Sequence, residues 1–238
     1  MENGNIPVAP LILALFLIVA FLMFLAIAGL VIYLITRAMK RRSYDAGRGN
    51  EMRSLAAQMS FSFRPQAELS SFPAFSEFEL FEGSPLKFEN LMGGVAGGFP
   101  VTVFDLAYRN IGGTGSGTTT SRQTIYGISS NQLALPEFHL RPEGMLERAL
   151  DSVSRVDIDF AERPGFSSKI FLYGKDEAAI RRLFNRPMFD FFEQNPYLCV
   201  FGKGERLFFY QSRTLTPPNM VRQNVMFLPN LVDLFRVR

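Results

Sequence analysis

Leu86-Lys-Phe-Glu-Asn-Leu91, Gly93-Gly-Val-Ala-Gly-Gly-Phe-Pro100 and Val101-Thr-Val-Phe-Asp-Leu-Ala-Tyr-Arg109 follow one another with only Met92 between the first two. Two strand-like stretches flank a glycine-rich segment. Glycine supplies the positive φ angles of tight reversals, so this order predicts an antiparallel hairpin. A second glycine-rich segment, residues 112–120, separates the second stretch from Thr124 to Ser129 and predicts a further hairpin with a loose tip.

The same reading extends in both directions. Phe61 and Phe63 alternate with Ser62 and Arg64, which predicts a short strand ended by Pro65. Pro136–Leu140, Ile170–Tyr173 and a hairpin around residues 202–205 add strands. Val156, Ile158 and Phe160 alternate with Asp157 and Asp159, which predicts a half-buried strand with one wet face. Helical spacing marks residues 176–184 and 187–194, and a last helix from Pro218 interrupted near Pro229. Strands in hairpins with few helices, and no repeated strand–helix alternation, predict an α+β fold with a mainly antiparallel sheet and a C-terminal helix.

At the other end, residues 8–36 form an apolar run, with no charged residue between Glu2 and Arg37. A bilayer core of ~30 Å takes about 20 apolar residues in a helix, so the run predicts a transmembrane helix. Arg37, Lys40, Arg41 and Arg42 follow at once. The positive-inside bias then predicts a single pass through the inner (plasma) membrane, with residues 1–7 outside and a cytoplasmic domain over 54–238 behind a basic linker, 37–53. The four basic residues are the expected membrane-surface contact, and the lipid bilayer the first expected partner. The run lacks Asp, Glu, Lys, Arg, His and Cys. It therefore offers neither a proton relay nor a haem ligand, and reads as a plain anchor.

Residues 37–53 carry six positive and two negative groups, and residues 1–36 only Glu2. The other 185 residues hold 19 Lys or Arg against 19 Asp or Glu, so the overall +3 belongs to the linker. A neutral domain argues against nucleic acid as a partner. Cys199, the single cysteine, lies in an apolar stretch and reads as a buried strand residue.

Candidate chemistry is sparse. Gly112 and Gly117 have phosphate-loop spacing, but Thr118 stands where lysine is required. Glu137 and His139, two apart on a strand, share a face and could join a metal site. The chain has one His and one Cys, which leaves zinc short of its usual ligands. Asp157 and Asp159 could act as paired acids or hold a hard cation. Glu137, His139, Asp157 and Asp159 are thus the one set worth testing for catalysis. The apolar neighbours Phe138 and Leu140 predict an outward His139 side chain. No catalytic residue, metal or cofactor is assigned. Phe72, Phe75, Phe78 and Phe81 recur every three residues among Ser, Pro and Glu. Core packing is their default reading, and a ridge for contact with a partner is the alternative.

Val103-Phe-Asp105 with Tyr108, Leu135-Pro-Glu-Phe-His-Leu-Arg-Pro-Glu143, Asp157-Ile-Asp-Phe160 and Gly174-Lys-Asp-Glu177 resemble segments of uncharacterised bacterial single-pass membrane proteins with a cytoplasmic α+β domain. The resemblance implies no catalytic residues. The expected function is that of a non-catalytic accessory or scaffold subunit, binding or stabilising a larger membrane protein complex, such as an energy-transducing one. A lipid- or small-ligand-binding module at the membrane surface is the alternative, and a hydrolase or metal-dependent enzyme the third reading.

Overall fold

The computed structural model describes residues 8–68, 81, 86–110, 119–145 and 156–236. The side chains of 8–21, 38, 40–44, 86, 109, 110 and 119 are not among them. The chain divides into two compact units, Met1–Arg48 and Gly49–Arg238.

The first unit is helical. It holds most of α1 (Val8–Gln58). From Leu22 to Arg37 the described side chains are exposed or half-buried, including Leu22, Phe24 and Ile32. Among the described residues no helix is long and apolar enough to cross a membrane. This corrects the fold expected for residues 8–36. The transmembrane element, the single pass and the inner-membrane placement read from that run do not stand. Arg37 is exposed. The side chains of Lys40, Arg41 and Arg42 lie outside the described residues.

The second unit is α+β. Its elements run β1 (Ser62–Ala67), β2 (Leu86–Ala96), β3 (Phe99–Asn110), β4 (Thr119–Ser129), β5 (Leu135–Pro142), α2 (Pro164–Ser167), β6 (Ile170–Gly174), α3 (Glu177–Leu183), α4 (Arg186–Gln194), β7 (Cys199–Gly204), β8 (Arg206–Tyr210) and α5 (Pro218–Phe235). One eight-stranded sheet has the order β1-β2-β3-β4-β8-β7-β5-β6, and every strand pairing among the described residues is antiparallel. β1 to β4 form a meander. The late hairpin β7–β8 then inserts between β4 and β5.

Local chemistry sets these elements. The β2–β3 reversal is only Gly97-Gly98, with φ of 57° and 86°, a two-residue turn that glycine favours. The other glycines of the segment lie within β2. A Cβ on Gly97 would come 2.5 Å from the Pro229 ring, so this tip is pressed against α5. Asp176 caps α3 by accepting the Ala179 N–H, and Asn185 caps α4 by accepting that of Met188. Three sequence expectations are revised. Pro65 sits inside β1, an edge strand, where a missing N–H is tolerated. α5 continues across Pro229. Residues 156–160 form no strand.

Both faces of the sheet are buried. On one, Val221, Val225, Leu228, Val232 and Phe235 of α5 pack with Ile180, Met188 and Phe192 against Val103, Leu140 and Val200. On the other lie Phe88, Phe104, Cys199, Phe208 and Tyr210. Phe81 is 3% exposed and its ring centre stands 5.5–6.0 Å from those of Phe88, Phe104 and Phe208. It is core, at about 1.5–3 kcal/mol for a fully buried ring, rather than an exposed ridge. Phe72, Phe75 and Phe78 lie outside the described residues.

Candidate functional site

Glu137, His139 and Arg141 point to one side of β5, as period-two alternation requires. That side is not wet throughout. His139 is 5% exposed, and its ring lies against Phe201 and Tyr173. The expected outward His139 is therefore corrected to an inward one, because a second core covers this face. Nδ1 lies 2.6 Å from the Tyr173 hydroxyl and Nε2 3.0 Å from that of Tyr210. Both ring nitrogens are thus engaged by phenols, an arrangement that fixes the imidazole.

Beside this triad is a cavity of about 370 Å³. Glu137 and His139 form its β5 wall, Tyr173 and Gly174 the end of β6, and Phe201 the floor from β7. Val156 and Ile158 close one side, and Lys175 and Glu177 stand at the start of α3. Gly174 is required at this corner. A Cβ there would fall 2.2 Å from the Glu137 carbonyl oxygen. The Glu137 carboxylate accepts from Lys175 Nζ at 3.0 Å and lies 3.4 Å from Lys203 Nζ, so it is held between two ammonium groups.

Residues 156–160 form an extended strap along β6, the last strand of the sheet. Ile158 N–H donates to the Leu172 carbonyl at 2.8 Å, and Leu172 N–H donates to Asp157 Oδ1 at 2.8 Å. Arg181 donates to the Asp159 carbonyl and stacks over Phe160. The strap thereby covers a sheet edge that would otherwise present unpaired backbone groups. Burial raises the Asp157 carboxyl above its ordinary value. The Leu172 N–H opposes this, and the negative charges of Asp159 and Glu143 add to it.

The four residues singled out for catalysis do not converge. Glu137 and His139 line the cavity, Asp157 is turned to the β6 backbone, and Asp159 is exposed. Among the described residues no three His, Cys, Asp or Glu side chains could together hold a metal ion.

A second polar cluster escaped the sequence reading. Asp105 on β3 is 2% exposed. Its Oδ2 accepts from Asn90 Nδ2 and its Oδ1 from Thr124 Oγ1, both at 2.8 Å. Thr124 Oγ1 in turn accepts the Thr216 N–H, and Gln123 Oε1 the Arg213 N–H. The cluster therefore ties the loop before α5 to the sheet. Asn90 has φ 54°, beside the irregularity between Glu89 and Met92. That irregularity is the local departure which aims its amide at Asp105.

No protein-family model matches this chain, and no curated protein matches it. Among solved structures, a likeness in fold extends over most of this chain. The chain resembles the crystal structure of the mycobacterial trehalose monomycolate transport factor A, TtfA, at a TM-score of 0.57 and 15% identity. The likeness covers 80% of this chain and 95% of that one. At that identity the shared property is the fold.

Proposed function

We propose that the protein is a non-catalytic accessory factor in lipid transport, acting by binding rather than by chemistry. The observation that carries this reading is the cavity beside β5 and β6. It is open and mixed in polarity, yet its polar groups hold one another, and Asp157 and Asp159 stand outside its lining. Such a site can recognise a group without supplying a base, a nucleophile or a metal. The fold shared with a trehalose monomycolate transport factor gives the binding role its direction. A protein partner within the transport machinery belongs to the same reading.

Removal of the chain from its native cell tests the proposal. The expected result is an unchanged total of newly made envelope lipid, with its distribution shifted toward the site of synthesis. An unchanged distribution, or a fall in synthesis itself, would count against it.

A further inference from the structure

We propose that the cavity beside β5 and β6 binds a neutral, hydroxyl-rich group, that is, a sugar. The inference deepens the binding role given above and rests on it for biological meaning, though not for its test. Three features converge on this class of ligand. The first is charge. Glu137 is held between Lys175 and Lys203, and Glu177 is bonded to Arg181, so each carboxylate of the lining already carries its own cation. A phosphate or sulfate would meet a carboxylate, already bridged by the lysines, and no arginine fork. A neutral ligand escapes that repulsion.

The second feature is hydrogen-bonding capacity. A sugar hydroxyl both donates and accepts. Carboxylate oxygens accept, ammonium groups donate, and the Tyr173 hydroxyl does either; all three kinds stand within one small space. The third is shape. Phe201, Ile158 and Val156 supply apolar surface beside the polar groups. A pyranose ring has the same division, with C–H groups on its faces and hydroxyls around its rim. At about 370 Å³ the cavity lies near the lower end of ligand sites, which suits one or two rings and leaves no room for a long acyl chain. A glycolipid would therefore enter by its head alone.

His139 is the single histidine of the chain and lines the cavity, so its imidazole proton resonance reports on this place alone. The full chain is titrated with trehalose, with maltose and with inorganic phosphate. The expected result is a saturable shift of the His139 signal with at least one sugar and none with phosphate. Glu137→Gln should weaken the response at least tenfold while the thermal melting curve stays in place. No saturable shift with either sugar, a phosphate response of equal size, or a Glu137→Gln protein that binds as before would each overturn the proposal. Vesicles carrying a glycosyl diacylglycerol separate the sources of the sugar. A tighter response than to free sugar assigns the site to a lipid head, and an equal one to soluble sugar. Shifted lipid distribution in cells lacking the chain, together with a silent His139 signal, sinks the sugar site and leaves the transport role standing. The reverse pair of results sinks the transport role alone.

Discussion

The cluster around Asp105 and the cluster around His139 are built from similar parts and do opposite things. Each sets polar side chains from neighbouring strands among aromatic rings. Around Asp105 every named polar atom is turned to another part of the chain, and the loop 211–217 covers it. Around His139 the same kind of network stops at an open wall, where Glu137, Tyr173 and Lys175 meet a cavity. A satisfied polar cluster fixes a fold when it is sealed, and becomes a recognition surface when one side is left open. The two should therefore answer differently to the loss of a side chain.

The largest effect is expected at the sealed cluster. Asp105→Ala strands the Asn90 amide and the Thr124 hydroxyl in the core, and should cost about 2–5 kcal/mol in denaturant unfolding. A loss under about 1 kcal/mol would show that water reaches the site and would break the contrast.

An intermediate effect is expected at the strap that walls the cavity. Asp157→Ala leaves the Leu172 N–H without its acceptor and should cost about 1–3 kcal/mol. Asp157→Asn keeps an acceptor and should cost less. The two also differ from the parent in pH dependence. The folded-state carboxyl titrates above its ordinary 3.8, so its charge opposes folding at neutral pH. That opposition is relieved as pH falls through the raised value toward 3.8. The parent therefore gains from this group on mild acidification, while Asp157→Asn shows a flatter profile over the same window. Identical profiles would remove the role assigned to burial.

The smallest effect on stability is expected at the open cluster. Glu137→Gln should change unfolding free energy by less than about 0.5 kcal/mol, because its two ion pairs are partly solvated. A loss near that of Asp105→Ala would make Glu137 a structural residue and erase the distinction.

Much of the sheet was legible because hairpins announce themselves locally. Gly97-Gly98 and residues 202–205 sit where the chain reverses, and the flanking β-rich stretches identify the strands. What was not legible depends on the second buried face. Alternation separates inside from outside only when one face is wet. Here Val103 and Phe104 are adjacent and both are buried, on opposite sides of the sheet. The same condition hides His139, whose apolar neighbours pointed it outward under a one-sided rule. The largely apolar character of Val101–Ala107, broken only by Thr102 and Asp105, was the available signal for a two-sided strand and a buried acid. Asp157 misled for a different reason. Its spacing from Asp159 is that of a strand, but its side chain completes a backbone hydrogen bond that only the tertiary arrangement creates.

The strand order has a consequence for how the molecule comes together. β1 to β4 can zip up from neighbouring sequence, whereas β4 meets its other partner only through residues 206–210, some eighty positions later. Until that hairpin arrives, the flank of β4 is an open template and the β5–β6 half has no seam to the rest. Pairings across such a separation are entropically slow to form. A nascent chain halted before residue 199 would thus hold a finished meander with a bare side, the form most exposed to strand-swapping with its neighbours.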